Sequence, residues 1–338
     1  MAVTMRDVAR RAGVSAKTVS NVVNGYPFIR ETTRDRVLEA IDALGYQMNI
    51  NARNLRSGRT GIIALAVPEL SLPYFAELAD AVISAAEKHG LTVLIEQTNA
   101  VRERELTALS SARAHLVDGL LFSPLALGPA DAAQLSTALP TVLLGERIFH
   151  GPVDHVVIDN VNGSRAATEH LISTGRRRIA VIGTHPGEEV GTAAIRYNAC
   201  AVAMRDAGIR PLRSLAAPAG LWHRDTGAEA MTRLLRSGTR FDAVFALNDT
   251  LALGALRVLV RHGVRVPDDV AVVGFDDIEE ARYSIPTLTS VNPCRTDIAR
   301  AAVDLLVVRM AGAGGAQEEV VAPYRLMVRE STVGVEPG

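Results

Sequence analysis

Apolar residues in the N-terminal part of the chain recur at the spacing of short helices. A capping-box variant, Thr4 with Asp7 three residues later, predicts the start of a first helix. Gly13 follows as a turn residue, because glycine adopts left-handed backbone angles without steric cost. Ser15 predicts the cap of a second helix. The positions predicted to face inward are Val8, Ala9, Ala12, Val19, Val22 and Val23, and those predicted to face outward are Ala16, Lys17, Ser20 and Asn21. This layout is typical of a helix-turn-helix, whose second helix enters the major groove of DNA.

A third helix is predicted after this pair. Thr32 with Asp35 repeats the capping-box variant, and Gly45 would end the helix as a C-cap. The predicted apolar stripe consists of Val37, Leu38, Ile41 and Leu44. We therefore expect residues 1–48 to form an all-α headpiece. This is close to the smallest size at which a domain folds without disulfides or bound metal ions.

The segment at residues 49–60 has two interpretations. Ala52 and Leu55 are three residues apart and would share a helical face, but so short a helix is marginal alone in water. One interpretation is a plain polar linker. The other is a hinge that becomes helical only on DNA, with Leu55 wedged between bases in the minor groove and with Arg53 and Arg56 holding phosphates.

From residue 61 onward, short apolar runs alternate with amphipathic stretches. Runs typical of buried strands lie at residues 62–67, 91–95, 119–122, 141–144, 155–158, 179–182, 243–247 and 270–275. Helical stretches lie at residues 75–89, 162–174, 196–207, 225–237, 250–262 and 295–311. This alternation predicts parallel sheets with helices on both faces, and the repeats are too many for one small sheet.

We therefore predict an α/β core at residues 61–338, built from two doubly wound parallel-sheet lobes. The first lobe takes about residues 61–160 with 292–320, and the second about 161–291 with 321–330. Because ligands bind outside the carboxyl ends of parallel strands, the predicted site is the cleft between the lobes.

Charge is distributed unevenly along the chain. Residues 1–60 hold ten Lys and Arg against five Asp and Glu, a net charge of +5, whereas the whole chain carries −1. Acidic residues are missing between Asp7 and Glu31 and again between Asp42 and Glu69. A basic head on an acidic body favours contact between the head and nucleic-acid phosphates.

Composition argues against several other classes of protein. Hydrophobic residues make up 48% of the chain, enough for a sizeable core, but no run of about 18 apolar residues predicts a membrane span. The N-terminus lacks the apolar run of a signal peptide, and Cys200 and Cys294 are too far apart to form a metal cluster. We expect a cytoplasmic, nucleoid-associated protein in a reducing compartment, with neither membrane contact, cofactor nor metal.

Seven stretches carry a family resemblance: DVARRAGVSAKTVSNVVNG, ETTRDRVLEAIDALGY, ARNLRSGRTGIIAL, VDHVVIDNVNGSRAATEHLI, FALNDTLALGALR, VRVPDDVAVVGFDDI and LTSVNPC. Through them the chain resembles, over nearly its whole length, the lactose-repressor/galactose-repressor (LacI/GalR) family of bacterial transcription regulators. The resemblance implies a homodimer whose paired heads read a pseudo-palindromic operator. It also implies a core like the periplasmic sugar-binding proteins, which senses a small-molecule effector.

For DNA, the resemblance places base recognition in the first turns of the second helix, at Ala16, Lys17 and Asn21. Lys17 can donate to guanine and Asn21 can bond adenine bidentately, whereas Ala16 reaches only a thymine methyl group. Leu55 matches the minor-groove leucine of the family. The full set of DNA-contact candidates is Thr4, Ser15, Ala16, Lys17, Thr18, Ser20, Asn21, Asn24, Arg53, Leu55 and Arg56.

For the cleft, the resemblance implies an effector site. Arg196, Asp276 and Asn248 match contact positions of the family, and a guanidinium, a carboxylate and an amide suit the hydroxyls of a sugar. Trp222 matches an aromatic wall position that suits the apolar face of a sugar ring. The effector candidates are Tyr74, Phe75, Arg147, Arg196, Trp222, Asn248 and Asp276.

Some of these assignments have alternatives. Many relatives have an aspartate where this chain has Gly145, so Glu146 or Arg147 would substitute for it. Arg196 and Asp276 would otherwise be a structural salt bridge across the cleft. Trp222 would otherwise be an ordinary core or surface aromatic residue.

The sequence leaves three possible functions to compare. The favoured one is a ligand-controlled repressor of sugar-utilisation genes, which binds DNA as a dimer; the tail after Arg329 lacks the apolar heptads of a tetramerising coiled coil. The alternative is a periplasmic-type solute-binding protein, against which the basic head and the missing signal peptide argue. An enzyme is disfavoured, because the sequence lacks a phosphate loop and a nucleophile elbow. His155, His170 and His185 lack the spacing of metal ligands and are expected to be structural.

Overall fold

The computed structural model describes residues 3–23, 26–46, 59–110 and 116–334. These form two compact units, Met1–Thr60 and Gly61–Gly338. The described part of the first unit, the head, contains α1 (Met5–Ala12), α2 (Ala16–Val23) and α3 (Glu31–Leu44). The predicted hinge at residues 49–60 lies outside the described residues, apart from Arg59 and Thr60.

One small core joins the helices of the head. Val8 of α1, Val19 of α2 and Val37 of α3 are completely buried in it. Gly13 adopts a φ of 63° between α1 and α2, which is the left-handed conformation that glycine tolerates best. These contacts confirm the predicted helix-turn-helix.

The turn is also held from α3. The guanidinium of Arg36 donates to the carbonyl of Ala12 and, at 3.3 Å, to the carbonyl of Gly13. These carbonyls stand at the C-terminal end of α1, where a helix leaves its last acceptors unsatisfied. The third helix therefore fixes the turn that orients α2.

Both N-caps predicted for the first two helices are confirmed. The Thr4 hydroxyl accepts from the N–H of Asp7, and the Asp7 carboxylate accepts in return from the N–H of Thr4 at 3.0 Å. At α2, Oγ of Ser15 accepts from the N–H of Thr18 at 3.1 Å. Each bond satisfies a backbone donor that a helix N-terminus leaves open.

The predicted cap of the third helix is wrong. α3 begins at Glu31, one residue before Thr32, and Arg30 occupies the N-cap without a side-chain cap bond. Thr32 therefore lies inside the first turn, where its hydroxyl is displaced from the cap position. The carboxylate of Glu31 stands in this first turn instead, where a negative charge interacts favourably with the helix dipole.

Two predicted orientations in the head are also wrong. Leu38 is 50% exposed, because it lies about 100° around the helix from Val37, and Ala40 completes the buried stripe instead. Ser20, predicted to face outward, is only 8% exposed. It flanks the valine stripe of a short helix that packs against both α1 and α3, so the buried face of α2 is wider than its valines.

The second unit alternates strands and helices along the chain. Its strands are β1 (Ile62–Val67), β2 (Thr92–Gln97), β3 (Gly119–Phe122), β4 (Thr141–Leu144), β5 (Asp154–Ile158), β6 (Ile179–Thr184), β7 (Ala216–Pro218), β8 (Ala243–Ala246), β9 (Ala271–Phe275), β10 (Thr289–Asn292), β11 (Glu319–Ala322) and β12 (Arg325–Met327). Its helices are α4 (Pro73–Glu87), α5 (Arg102–Ala108), α6 (Asn160–Ser173), α7 (Thr192–Asp206), α8 (Arg224–Arg236), α9 (Asp249–Arg261), α10 (Arg295–Met310) and α11 (Glu330–Val333). No helix of the described residues is both long enough and apolar enough to span a membrane.

In the described chain the strands form two six-stranded sheets. The first has the order β11-β5-β4-β3-β1-β2 and is parallel throughout; the second has the order β12-β10-β9-β8-β6-β7, with only β12 antiparallel to its neighbour. Along β6, Ile179 and Val181 pack into the core that contains α6 and α7, whereas Ala180 and Ile182 pack into the core that contains α8 and α9. Helices on both faces explain why the strands are apolar throughout, and they confirm two doubly wound lobes.

The chain passes between the sheets after β5, after β10 and after β11. As a result α10 packs on β3, β4 and β5 of the first sheet, although the preceding strand belongs to the second sheet. Strand β11 lies across the lobe boundary predicted between residues 320 and 321. These crossings tie the two lobes together around one cleft.

The predicted runs and helical stretches do not include α5, α11, β7, β10, β11 and β12. The strands among them have only three or four residues, and several of those residues are polar. A window of alternating apolar residues is therefore too short to reveal them.

Candidate DNA-binding surface and effector cavity

The outer face of α2 is the candidate DNA surface. Ser15, Ala16 and Lys17 are exposed at its start, and Thr18 and Asn21 are half-buried. The hydroxyls of Ser15 and Thr18 lie 2.9 Å apart and share a hydrogen bond. The first turn of α2 contains no acidic residue, so the positive end of the helix dipole and Lys17 both favour an approaching phosphate or base acceptor.

The other DNA-contact candidates differ in how available they are. Thr4 is exposed, but its hydroxyl donates to the Asp7 carboxylate at 2.6 Å. Ser20 is buried among the helices, which removes its side chain from this surface. The remaining candidates, Asn24, Arg53, Leu55 and Arg56, lie outside the described residues.

A cavity of about 610 Å³ lies where the carboxyl ends of the two sheets meet. Every predicted effector residue lines it: Tyr74, Phe75, Arg147, Arg196, Trp222, Asn248 and Asp276. Each of these residues follows a strand or lies near the start of the helix after it. The volume falls within the range of small-molecule sites, and the position is the one expected from the parallel-strand rule.

Arg196 is the buried cation of the cavity, with 2% of its surface exposed. Its Nε donates to Oδ1 of Asn160 at 2.7 Å, and its Nη1 donates to the carbonyl of Leu247. The guanidinium carbon lies 3.5 Å from the centroid of the Phe275 ring, a stacked arrangement that favours a cation. Burial lowers the pKa of Arg196, yet a guanidinium stays protonated in proteins. The second sheet therefore presents a fixed positive charge.

Asp276 faces this cation. Its Oδ1 lies 3.6 Å from Nη1 of Arg196, and 6% of the residue is exposed. Burial raises the pKa of Asp276 to about 6, while the positive charges of Arg196 and Arg295 oppose the rise. Both members of the Arg196–Asp276 pair belong to the second-sheet side, so the pair does not bridge the cleft as the alternative interpretation assumed.

The loop that carries Asp276 is held in an unusual conformation. Asp276 and Asp277 have φ values of 111° and 48°, which non-glycine residues adopt only when the surroundings impose them. Arg295, at the start of α10, donates to both of their carbonyls. Arg295 also pairs with Oε2 of Glu77 in α4 at 2.6 Å. An arginine from outside the cavity thus positions the carboxylate inside it.

Aromatic side chains form the apolar walls of the cavity. Tyr74 and Phe75 pack edge to face at the start of α4, with centroids 5.2 Å apart. Burial raises the pKa of Tyr74, so its hydroxyl stays protonated and able to donate. Opposite them, Nε1 of Trp222 donates to the carbonyl of Gly183 at 3.0 Å. Trp222 lines the cavity, which argues against its being an ordinary core residue.

Asn248 is occupied by local hydrogen bonds. Its Oδ1 accepts from the N–H of Leu251 at 2.9 Å and caps α9, while its Nδ2 donates to the carbonyl of Trp222 at 3.3 Å. Asn248 therefore acts first on the position of the tryptophan wall.

Helix α9 also packs closely on α8. At Gly254 a side chain would not fit, because its Cβ would lie 2.0 Å from the carbonyl oxygen of Arg224.

Glu146 and Arg147, the suggested substitutes for an aspartate, both line the cavity and reach toward the second sheet. Glu146 is 5% exposed and accepts from the Thr192 hydroxyl at 2.8 Å. Nη1 of Arg147 lies 3.0 Å from Oε1 of Glu188 and donates to the carbonyl of Val190. These contacts join the end of β4 to the loop after β6.

Comparison with known proteins places the chain in a family. Residues 4–49 match the model "Bacterial regulatory proteins, lacI family", and residues 168–332 match the model of a periplasmic binding protein-like domain. The transcriptional regulator CelR of Thermobifida fusca is 37% identical over 336 residues, which are 97% of this chain and 98% of CelR. The chain belongs to the LacI family.

Solved structures of LacI-family proteins agree with this assignment. A protein described as a transcriptional regulator of the LacI family from Sanguibacter keddieii is 50% identical, covers 82% of this chain and 100% of its own, and superimposes with a TM-score of 0.76. The lac repressor dimer bound to operator and the anti-inducer ONPF is 28% identical, covers 98% and 99% of the two chains, and has a TM-score of 0.86. Like its LacI-family relatives, the protein is a ligand-responsive DNA-binding transcriptional regulator.

Within this LacI-family core, sequence reasoning missed several residues of the cavity. Glu69, His185, Glu188 and His223 line it. His185, expected to be only structural, packs against Trp222 with ring centroids 5.8 Å apart. The residues follow different strands and share no motif, so only the fold brings them together.

The other two histidines that were expected to be structural make local contacts. Nε2 of His155 lies 2.6 Å from the carbonyl of Gly145, and Nε2 of His170 lies 2.8 Å from the hydroxyl of Thr332. Over residues 3–334 with their gaps, no group of three or more His, Cys, Asp and Glu side chains is arranged to hold a metal ion.

Proposed function

We propose that this regulator is a repressor of sugar-utilisation genes that binds a pseudo-palindromic operator as a homodimer in the cytoplasm. The observation that carries the proposal is the occurrence, in one LacI-family chain, of a basic helix-turn-helix head and a cavity lined by all the predicted effector residues. The alternative, a periplasmic-type solute-binding protein, gives no role to the head, and the family relation does not favour it.

The chemistry of the cavity supports a sugar as effector. Arg196 supplies donors and Asp276 supplies acceptors on one wall, an arrangement that suits vicinal hydroxyls. Trp222 faces Tyr74 and Phe75 across the space, so a ring with apolar faces can lie between aromatic surfaces. Charges of both signs line the walls, which favours an uncharged ligand over an anion.

The size of the cavity and one relative support a sugar larger than a single ring. A structure of a transcriptional regulator CelR–cellobiose complex is 34% identical, covers 97% of this chain and 99% of that chain, and has a TM-score of 0.72. We therefore propose a disaccharide, with cellobiose as the first one to test. Asn248 supports the site by holding Trp222.

On DNA, Lys17 and Asn21 are the proposed base-reading residues, with Ala16 against a thymine methyl group. Ser15 and Thr18 are occupied with the N-cap and would approach the backbone phosphates. Leu55 is proposed as the minor-groove wedge, with Arg53 and Arg56 on phosphates. Effector binding would close the cleft and change the spacing of the two heads of the dimer, with a coupling free energy of about 1–3 kcal/mol.

The test begins with the selection of operator duplexes from a random library by the purified full-length protein. Fluorescence anisotropy then measures operator affinity with and without cellobiose, other sugars and purines. We expect a sugar to change operator affinity about 10-fold or more. The proposed function is wrong if the protein does not discriminate its selected duplex from random DNA, or if no sugar of the panel changes that affinity.

The wedge has its own test. Leu55→Ala should weaken binding to the selected operator far more than binding to random DNA, because a wedge acts only where the duplex is kinked. Equal losses on both duplexes would contradict it.

A further inference from the structure

A hydrogen-bonded pair bridges the mouth of the cavity. Nε2 of His223, just before α8, lies 2.9 Å from Oε2 of Glu69, which lies between β1 and α4. The His223 and Glu69 side chains are 30% and 27% exposed. The two residues are 154 positions apart in sequence and follow strands of different sheets. Their contact therefore exists only while the two walls are close together.

Each partner is held by its own wall. The hydroxyl of Ser71 donates to Oε1 of Glu69, and this bond, with His223 opposite, lowers the pKa of the Glu69 carboxyl. Glu69 therefore carries a negative charge near neutral pH. The backbone N–H of His223 donates to Oγ1 of Thr226 at 3.1 Å, which leaves the imidazole free to reach across.

We propose that Glu69 and His223 form a clasp that holds the effector cleft closed and determines how tightly it retains a ligand. The ligand part rests on the proposed effector function, whereas the closure itself does not. Because the Glu69 carboxylate is ionised, its hydrogen bond with the imidazole is charge-assisted and stronger than a bond between two neutral groups. Loss of either side chain should therefore loosen the closed state.

Other charged groups of the described residues lie beside the clasp and pair on the second-sheet side. Arg224 and Asp225 follow His223 in α8, and Arg224 pairs with Glu280 at 2.5 Å. His185, in the loop after β6, lies 2.5 Å from Glu188 of the same loop and 2.9 Å from the carbonyl of Gly220. The Arg224–Glu280 pair lies on the second-sheet side alone, so Glu280 provides the matched control.

Trp222 reports on closure without any ligand, since it is the only tryptophan of the chain. Its indole is tied to the second sheet through Gly183, so opening of the mouth exposes the ring to the solvent. The experiment measures acrylamide quenching of Trp222 fluorescence in the full-length protein without ligand. Circular dichroism checks that each variant is folded.

Glu69→Gln and His223→Ala should each raise the quenching constant about two-fold over the wild type, because either change removes the charge-assisted bond across the mouth. Glu280→Gln removes a carboxylate that pairs with Arg224 on the second-sheet side and should quench like the wild type. The clasp is refuted if Glu69→Gln and His223→Ala quench like the wild type, or if Glu280→Gln raises the constant as much as they do.

Calorimetric titration with cellobiose separates the clasp from the proposed function. If the clasp determines retention, Glu69→Gln should bind cellobiose about 3-fold more weakly than the wild type, because less of the protein is closed. Equal affinities of the two proteins would overturn the role in retention. If quenching responds as expected but cellobiose and the other sugars of the panel do not bind, the closure clasp stands and the proposed sugar effector is lost.

Discussion

The two walls of the cavity hold their polar side chains in different ways. On the second-sheet wall, Arg196, Asn248 and Asp276 are at most 6% exposed and are bound mainly by neighbours on that wall. On the first-sheet wall, Glu69 and Arg147 are more exposed and pair with residues of the opposite wall. Glu146 is buried, but it too bonds across the cleft, to Thr192. The difference indicates that recognition groups are preorganised on one wall, whereas the other wall supplies contacts that form on closure.

This division has a physical reason. A buried charge needs permanent partners, because an unpaired ion in the interior costs several kcal/mol. A contact that must open and close has to be weak, and partly exposed ion pairs contribute about 0–1 kcal/mol each. Each wall thus carries the kind of interaction that its role allows.

The largest expected effect comes from the buried cation. Arg196→Met removes the positive partner of Asp276 and the donor to Asn160, and loss of one member of a buried pair costs about 3–5 kcal/mol. The free energy of unfolding, measured with urea, should fall by that amount. Arg147→Met is the matched control, since its pair with Glu188 is partly exposed and should contribute at most about 1 kcal/mol. If the two variants lost the same free energy of unfolding, the two walls would not differ in the way described.

A smaller effect is expected on the free energy of unfolding when the pH changes. Burial raises the pKa of Asp276 from 3.8 to about 6, so the folded state binds this proton more tightly than the unfolded state does. The stabilisation is fully present below about pH 4 and is lost as pH rises through about 6. A difference of about two pH units corresponds to about 3 kcal/mol at most.

The measurement is the free energy of unfolding between pH 4 and pH 7 in the wild type and in Asp276→Asn. The wild type should lose stability relative to the variant as pH rises through this range. Asp249, whose pKa is raised by burial and then by the charge of Asp276, gives a trend of the same sign. Part of that trend is lost with Asp276, so the difference reports the two coupled carboxylates together. If the free energies of unfolding of the two proteins changed with pH in parallel, the raised pKa of Asp276 would be contradicted.

The smallest effect concerns the cap at Asn248. Asn248→Ala should lower the free energy of unfolding by about 1 kcal/mol, because the N–H of Leu251 loses its acceptor. Asn248→Ser supplies another side-chain oxygen at the N-cap and should recover most of this loss. If both variants lost the same amount, the cap would not be the source of the effect.

The sequence predicted the second-sheet wall better than the first. Arg196, Asp276, Asn248 and Trp222 were all found through the family resemblance. Asp276 and Asn248 also come directly after apolar runs, and parallel strands bring such positions to one edge. The clasp and the Glu77–Arg295 pair were not found, because their partners are far apart in sequence and meet only through the chain crossings between the sheets.

In the head, periodicity predicted the helices but not the details of α3. The threonine–acid spacing at Thr32 and Asp35 occurs inside the first turn, since the helix begins one residue earlier. Leu38 is apolar but lies off the buried stripe. A capping pattern is informative only when the helix start is known, and that start depends here on tertiary packing.

The contact of Arg36 with the Ala12 and Gly13 carbonyls has a consequence for protein engineering. The segment from α1 to α2 is not a transplantable cassette by itself, because a side chain from α3 holds its turn. A chimaera that exchanges only these two helices between related regulators would pair a foreign turn with this arginine. Exchange of all three helices together keeps the support and the reading helix in register.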